Sequence, residues 1–344
     1  MKRMERDPER FDTLRILDAF ARSRGLSLTD PTDQAAVLKA LTQAASQGPQ
    51  NEILVHGLRV ESMFAYVAGA LGYSLAVKEE DAGSLYSPDP ELAAPDFRVI
   101  TRSGSEFLVE VKNCHQVGLD FRYRLTSRYY RRLTAYAALF SRQLKFAIYW
   151  SRPRLWTLLP AEAFEASGEY HSLSMEQCIK RNEMSLLGDA MVGTVPPVEF
   201  RLFTDPEKPR SVDAGGHAQF TIGGAELWCG SRRVIDPFEK KLAWFLLQFG
   251  GWEGGPPEAE IVDGQLLSTR FIATKQTASG QEFAIIGQLS QMISRQFNEL
   301  TAPEGQIVRL APSQDPEKLG IVIPADYKGD VVRLWRFVLQ PNYD

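Results

Sequence analysis

Three charged side chains interrupt an apolar stretch between residues 93 and 115. Asp96 precedes one predicted strand, and Glu110 and Lys112 lie within the next. Because side chains alternate along a strand, Glu110 and Lys112 point to the same face. An unpaired buried charge is very costly, so we expect that face to line a cleft. Two acids and an amine at a cleft are suited to binding a divalent cation and to hydrolysis.

The two strands are predicted to form a hairpin that brings the acids together. A three-residue loop, 102–104, with Gly104 in the left-handed conformation, would centre the turn on Ser103. Asp96 would then pair with Glu110 on one face, about 5 Å apart between Cβ atoms. Two like charges at that distance repel each other, and a divalent cation converts the repulsion into a binding site. A slip of one residue would send the acids to opposite faces.

Two carboxylates with waters suit Mg²⁺, which keeps much of its hydration shell, and Mn²⁺ is the expected substitute. The metal would polarise a phosphoryl oxygen and lower the pKa of a bound water. Lys112 would position that water or stabilise the negative charge that grows in the transition state. The combination fits hydrolysis of a phosphodiester bond.

The pattern Pro-Asp at 95–96, followed by Glu-Val-Lys at 110–112, resembles the signature of the PD-(D/E)XK nuclease superfamily. The predicted order of elements over residues 50–160 is similar too. The resemblance implies a restriction-endonuclease-like fold and a metal-dependent nuclease. We expect an α/β protein with a mixed sheet flanked by helices, followed by a C-terminal α+β part compatible with a winged-helix-like module.

The resemblance also assigns roles to individual residues. It places the metal on Asp96, Glu110 and the backbone carbonyl of Val111. It makes Lys112 the residue that assists the nucleophilic water. Many members of the superfamily add an acid on the helix before the sheet; we match Glu61 to that position, with Glu52 as the alternative.

A basic and aromatic segment follows, from residue 121 to residue 154. It contains no acidic residue, although the net charge of the chain is −4. Arginine binds phosphate in a bidentate manner and tyrosine can stack on a nucleic acid, so the segment is expected to hold a nucleic-acid backbone. The alternative is that its arginines pair with acids elsewhere, such as those of residues 78–83. The expected nucleic-acid contacts are Arg122, Arg124, Arg128, Tyr129, Arg131 and Arg132.

Residues 204–218 are rich in proline, glycine and charged residues, which suggests a domain boundary in this segment. We predict an N-terminal helical extension (1–50), a nuclease-like domain (51–212) and a C-terminal binding or oligomerisation domain (213–344). Hydrophobic periodicity predicts helices at 8–24, 31–47, 51–73, 124–143, 174–191, 238–249 and 282–300. Beyond the hairpin it predicts strands at 74–81, 144–150, 197–203, 305–310, 319–324 and 331–339, and a strand pair at 219–234.

Two further segments carry polar residues with alternative roles. Asn182 and Glu183 could close over the active site or serve packing alone. The predicted helix 282–300 has a polar face suited to base contacts, with dimerisation or partner docking as alternatives. That face consists of Gln288, Gln291, Ser294, Arg295 and Asn298.

Cysteine content and short motifs indicate the cellular location and the kinds of site to expect. Three distant cysteines give no disulfide framework, so a reducing, cytoplasmic location is expected. Neither a signal peptide nor a membrane span is predicted. A zinc site would need Cys114, His115, His171 and Cys178, whose spacing matches no known pattern. A phosphate-binding loop is absent from the sequence, so an ATPase partner would be a separate protein.

The sequence therefore predicts a Mg²⁺-dependent nuclease, most simply a DNA endonuclease in defence against foreign DNA, with repair as the neighbouring role. RNA is the alternative substrate, and a homodimer is compatible with the pattern. The alternative function is a nucleic-acid-binding or scaffold subunit that does not cleave.

Overall fold

The computed structural model describes residues 1–4, 7–82, 84–116, 118–213, 215–324 and 326–344, without the side chain of residue 11. The chain has a mixed α/β structure. Its helices are α1 (Thr13–Arg22), α2 (Pro31–Gln47), α3 (Glu52–Ala70), α4 (Ser127–Leu139), α5 (Met175–Lys180), α6 (Pro237–Phe249) and α7 (Leu289–Thr301).

The strands fall into two larger sheets and three small ones. In the first half of the chain they are β1 (Ser74–Glu79), β2 (Phe97–Thr101), β3 (Glu106–Cys114), β4 (Arg122–Thr126), β5 (Gln143–Trp150), β6 (Leu155–Pro160), β7 (Glu165–Ser167) and β8 (Tyr170–Ser174). In the second half they are β9 (Met191–Thr194), β10 (Val198–Thr204), β11 (Arg210–Val212), β12 (Ala218–Phe220), β13 (Ile222–Cys229), β14 (Arg232–Arg233), β15 (Glu253–Gly254), β16 (Glu258–Val262), β17 (Gln265–Thr274), β18 (Ala284–Gln288) and β19 (Leu334–Phe337).

Helices α2 and α3 each begin at a residue whose side chain caps the helix. The Asp30 side chain accepts hydrogen bonds from the backbone N–H groups of Thr32 and Asp33, at 2.9 and 3.1 Å, and so starts α2. Asn51 caps α3 in the same way through Leu54 N, at 3.1 Å. The predicted helices 31–47 and 51–73 are confirmed, apart from the last turn of the second.

The central sheet has the strand order β1-β2-β3-β5-β6, so β3 lies in the middle. It runs antiparallel to β2 and parallel to β5. The face of β3 that carries Phe107, Val109 and Val111 packs in the same apolar cluster as α3. The opposite face, with Leu108, belongs to a second cluster under α4. Helices therefore cover the sheet on both sides, as a mixed α/β layer requires.

The hairpin turns as predicted. Gly104 has φ +83°, and its N–H donates to Thr101 O at 3.0 Å. Phe97 faces Val109 in the β2–β3 ladder, so the next pair along it is Asp96 and Glu110. The two acids thus occupy facing positions at the start of β2 and in the centre of β3.

Two predicted helices are shorter than expected. The segment 124–143 begins with β4, which pairs with β8, and α4 starts only at Ser127 because the Thr126 hydroxyl accepts from Tyr129 N at 3.3 Å. The segment 174–191 is α-helical only to Lys180, and a short 3-10 turn follows at Met184–Leu187. Its second half is diverted because the Asn182 side chain bonds the backbone of β6, and residues from Met191 form β9.

The predicted helix 282–300 is wrong over its first turns. Residues Ala284–Gln288 form β18, which pairs with β9. Gly287 has φ +125°, outside the helical region, so α7 can begin only after it. Among the described residues of 305–310 and 319–324 no strand forms, and the β16–β17 hairpin was not predicted.

The C-terminal part continues the core. Strand β10 pairs with β13 and β17, which lie on the other side of the predicted boundary at residue 212. One apolar cluster runs from α3 to α6 and α7. The Trp156 Nε1 of β6 donates to the buried Ser294 hydroxyl of α7 at 3.0 Å. The division into domains and the winged-helix likeness stay predictions.

In the part of the chain that the structure describes, no helix is both long and apolar enough to cross a bilayer.

Candidate active site

The side chain of Asp96 links the two strands of the hairpin. Asp96 Oδ2 accepts a hydrogen bond of 2.6 Å from the backbone N–H of Val111. The N–H and C=O of one residue in a strand point toward the same neighbouring strand. The Val111 carbonyl is therefore directed to the same side as its N–H, the side on which Asp96 lies. The structure places these residues together, as the resemblance implies.

Glu110 is a buried acid, with 1% of its surface exposed. Its Oε1 accepts hydrogen bonds from Lys112 Nζ and from the hydroxyl of Tyr129. Its Oε2 is buried and has no hydrogen-bond partner among the described residues. Buried polar atoms are nearly always paired, so this oxygen is an acceptor that lacks a donor or a cation. The face was expected to line a cleft; α4 covers Glu110 instead.

Glu110 disfavours a negative charge on Asp96. Burial, followed by the charge of Glu110, raises the pKa of Asp96 to about 8, against the opposing effects of Lys112 and the Val111 N–H. For Lys112, burial lowers the pKa, but the carboxylates of Glu110 and Asp96 outweigh it and the net shift is upward. The site thus favours a proton on Asp96 and keeps Lys112 charged.

Glu61 belongs to the same acidic environment. It lies on α3, half-buried, and its pKa is raised by burial, then by the charge of Asp81, with smaller contributions from Glu110. Its own charge contributes to the raised pKa of Asp96. Glu52, the alternative, is exposed in the first turn of α3. Glu61 is therefore the acid of α3 that lies near the pair.

Tyr129 has a place in this site that the sequence did not indicate. Its hydroxyl contacts Glu110, and the Lys112 Nζ lies 3.4 Å from its oxygen and 5.1 Å from its ring centroid. From its place in the basic segment it was predicted to contact nucleic acid. Its position on the third residue of α4 gave no signal of a bond to a residue on the neighbouring strand.

Several of the basic residues bind within the chain. Arg128 pairs with the Glu91 carboxylate at 2.8 Å, and Arg132 Nε donates to the Glu91 carbonyl at 3.2 Å. Arg122 pairs with Glu165 at 2.7 Å. The alternative that these arginines pair with acids therefore holds for Arg122 and Arg128, but with partners outside 78–83.

Two predicted phosphate contacts remain exposed. Arg124 and Arg131 form no ion pair with any described residue, and both lie on the surface beside the start of α4. Arg131 Nε donates only to the Ser127 carbonyl, at 3.3 Å. Among the six residues predicted to contact nucleic acid, these two are the exposed arginines without an ion pair to a described residue.

The metal assignment rests on few protein ligands. Within the described residues, no group of three or more His, Cys, Asp or Glu side chains could hold a metal ion. The donors on offer are two carboxylates, of Asp96 and Glu110, and a backbone carbonyl. The unpartnered oxygen of Glu110 and the raised pKa of Asp96 are both features that a bound cation would relieve. Oxygen donors of this kind fit Mg²⁺ with several retained waters.

The other candidate sites serve packing. Cys114 and Cys178 are buried, and burial raises the pKa of Cys178 to about 12. His171 stacks on Tyr130 with ring centroids 3.9 Å apart. Neither arrangement assembles a zinc site. Glu183 pairs with Lys145, whose Nζ lies over the Phe107 ring on the α3 face of the sheet, so the 182–183 segment does not close over Glu110.

The expected polar face of α7 is also engaged internally. Gln288 lies in β18, Ser294 is buried, and Arg295 Nη1 donates to the Phe249 carbonyl at 2.6 Å. The amide oxygen of Asn298 accepts from Arg59. Contact of this face with DNA stays a prediction, and these bonds give it no support.

Comparison with known proteins gives little further guidance. No family model and no curated protein matches the chain. Among solved structures, the chain is similar to Hjc, a Holliday junction resolvase from Archaeoglobus fulgidus, with 19% identity over 34% of this chain and 88% of the resolvase. The TM-score of 0.28 indicates only weak structural likeness.

Proposed function

We propose that the chain is a metal-dependent nuclease of the restriction-endonuclease-like class that hydrolyses phosphodiester bonds in DNA. The observation that carries the proposal is the pairing of Asp96 with Glu110 across the β2–β3 hairpin, beside Lys112, with one buried oxygen of Glu110 that has no partner among the described residues. If these charges had no function, we would expect the hairpin to expose them to solvent. Instead the carboxylate of Glu110 is buried, which costs free energy that a bound cation would offset.

Each residue of the site has a proposed task. Asp96, Glu110 and the Val111 carbonyl would hold Mg²⁺ or Mn²⁺, which when bound supplies positive charge to a phosphoryl oxygen and acidity to a water. Lys112 remains protonated and stabilises negative charge on the scissile phosphate. Tyr129 fixes the carboxylate of Glu110, and Glu61 adds a further negative charge at the edge of the site.

The substrate would lie over the start of α4. Arg124 and Arg131 are exposed and free of ion pairs in the described part of the chain, so they can meet phosphates directly. Arg128 would have to exchange its exposed Glu91 partner, which is an inexpensive step because surface ion pairs contribute little. We propose DNA as the substrate and defence against foreign DNA as the setting.

A second candidate function has a specific observation in its favour. Lys112 already occupies Glu110 Oε1, and the described residues contain no set of three acidic, histidine or cysteine ligands. A chain whose acids never bind a metal would be a nucleic-acid-binding or scaffold subunit of a larger complex, with the same basic surface and no cleavage.

The test is incubation of the purified chain with supercoiled plasmid and with single-stranded DNA, each with and without Mg²⁺. The proposal expects cleavage that requires Mg²⁺ and that is lost in Lys112→Ala. The matched control is Lys78→Ala, which removes an exposed lysine from the edge strand β1 of the same sheet. DNA binding without cleavage under every metal condition would favour the second candidate.

A further inference from the structure

Three arginines converge on one side of the molecule. Arg59 comes from α3, Arg154 from the turn between β5 and β6, and Arg295 from α7. All three charges act on the buried phenol of Tyr149 in β5 and lower its pKa against the larger effect of burial. Three separate elements therefore direct positive charge to one place.

This cluster has no internal counter-ion. None of the three arginines forms an ion pair with an acid in the described portion of the chain. Arg59 is buried, and its guanidinium bonds only neutral partners, the Thr301 hydroxyl at 3.1 Å and the amide oxygen of Asn298. Buried arginines are normally paired, so a missing anion is the simplest explanation of the arrangement.

Arg295 also has an unused donor. Its Nη1 donates to the Phe249 carbonyl at 2.6 Å, but its Nε is buried and lacks a hydrogen-bond partner in the described chain. Burial lowers the pKa of Arg295, and the charge of Arg154 lowers it further. The like charges repel each other, and an anion between them would relieve both the repulsion and the unmet donor.

A cavity lies at this cluster. Its volume is about 550 Å³, within the range of pockets that take small ligands. Glu299 and Glu304 also line it, but both are exposed and form no ion pair with the arginines, so solvent screens their charge more than that of Arg295. The polar side chains that line it are Arg154, Gln248, Arg295, Asn298, Glu299 and Glu304.

We propose that this cavity is a phosphate-binding site. Arg154 and Arg295 bind the phosphate directly, and Arg59, which is bonded to Asn298 of the cavity wall, contributes a further positive charge. Guanidinium groups bind phosphate oxygens in a bidentate manner, which suits a pocket whose two arginines form no ion pair with an acid among the described residues. The phosphate would belong to a nucleic-acid strand, and only this choice of source rests on the function proposed above.

Helix α3 and the central sheet connect the cavity with the candidate active site. Arg59 and Glu61 lie two residues apart on α3, so they face different sides of one helix turn. Tyr149 of β5 is aligned with Asn113 of β3, the residue that follows Lys112. The cavity and the candidate active site thus involve the same helix and two neighbouring strands, with Tyr149 on the α3 face of the sheet and Glu110 on the α4 face.

The test measures binding of three probes to the full chain in EDTA, where no metal-dependent cleavage occurs. The probes are a 12-nucleotide single-stranded DNA with a 5′-phosphate, the same DNA with a 5′-hydroxyl, and dAMP. The variants are Arg154→Glu and, as matched control, Arg152→Glu, which makes the same charge change at an exposed residue of the same turn.

The proposal expects Arg154→Glu to weaken DNA binding about tenfold or more, and Arg152→Glu to weaken it by no more than about twofold. Equal losses in the two variants, or no binding of any probe to the wild type, would overturn the site. Binding of both DNAs but not dAMP identifies the strand backbone as the source, whereas equal binding of dAMP identifies a free nucleotide.

A second variant gives an independent readout. Asn298→Asp places a carboxylate among the three arginines and so supplies the missing counter-ion within the chain. We expect it to raise the melting temperature and to abolish binding of the phosphate probe that the wild type binds. A melting temperature that stays the same or falls, or unchanged binding, would contradict the proposal. None of these results depends on whether the chain cleaves DNA.

Discussion

Asp96 spans the hairpin to hold Val111, whose backbone N–H donates to Asp96 Oδ2 at 2.6 Å. The carboxylate takes the place that the next residue of β2 would have in the ladder. One side chain therefore both completes the strand pairing and supplies a negative charge beside Glu110. A metal site needs Asp96 in its charged form, but the neighbouring Glu110 raises the pKa of Asp96 and so disfavours that form.

Asp96→Asn separates these two roles. The amide oxygen can still accept from Val111 N, but the folded chain no longer has to bind a proton at this position and cannot supply a carboxylate to a metal. Without metal at neutral pH we expect the free energy of unfolding to rise by about 4 kcal/mol, and cleavage in Mg²⁺ to fall by about a hundredfold or more. Denaturant unfolding in EDTA and plasmid cleavage in Mg²⁺ measure the two effects. A variant less stable than the wild type would contradict the electrostatic conflict.

Tyr129→Phe tests how Glu110 is held. Loss of the hydroxyl leaves Glu110 Oε1 bound by Lys112 alone, so the carboxylate gains freedom. We expect cleavage to fall about tenfold and the apparent affinity for Mn²⁺ to weaken with it. Tyr130→Phe is the matched control, since it removes a hydroxyl of the same helix that donates to the Ala161 carbonyl at 2.9 Å. Equal activity in the two variants would remove Tyr129 from the site.

The start of α7 should be sensitive to pH. Asp189 Oδ1 accepts from Ser290 N at 2.9 Å, and Oδ2 accepts from the Ser290 hydroxyl at 2.6 Å. Burial nevertheless raises the pKa of Asp189 to about 6, against the effect of these bonds. Between the unfolded value near pH 4 and about pH 6, the folded chain binds more protons than the unfolded chain. The contribution of this group to stability is therefore present at low pH and lost as the pH rises.

Asp189→Asn removes that titration and keeps an acceptor for the helix. We expect the stability of the variant relative to the wild type to increase by about 3 kcal/mol between pH 3 and pH 7. Denaturant unfolding over that range measures the difference. A constant difference at all pH values would show that Asp189 keeps an ordinary pKa.

A chain cut after residue 212 should not fold. Phe297 of α7 packs on Tyr66 of α3, with ring centroids 5.6 Å apart, and Trp156 donates to Ser294. Each exposed core side chain costs about 1.5–3 kcal/mol, and several would be exposed against a total stability of about 5–15 kcal/mol. Circular dichroism and denaturant unfolding of residues 1–212 test this. A cooperative transition in that fragment would establish 51–212 as an independent domain.

The hairpin was predictable because its determinants are local. Alternation fixes which residues of β3 share a face, and the glycine at 104 permits one turn geometry, so the facing positions of Asp96 and Glu110 followed from the sequence. The same applies to α2, whose cap and first turn are adjacent in the chain. The roles of these residues remain predictions.

Features that depend on distant partners could not be read from the sequence. The bond from Tyr129 to Glu110 joins α4 to the middle of β3, and the ion pair of Arg128 joins α4 to the loop before β2. A helical pattern over 282–300 concealed a strand, because pairing with β9 and the conformation of Gly287 outweigh local propensity. The continuous core across residue 212 likewise depends on strand pairing between distant segments.

The central claim is that Asp96 and Glu110 bind a divalent ion. Calorimetric titration of the protein with Mn²⁺ tests it most directly. The control is Glu106→Gln, an acid of the same strand that pairs with Arg98 and Arg142 instead. The account predicts one Mn²⁺ site in the wild type and in Glu106→Gln, and its loss in Glu110→Gln. Equal Mn²⁺ binding in all three proteins, or none in the wild type, would contradict it.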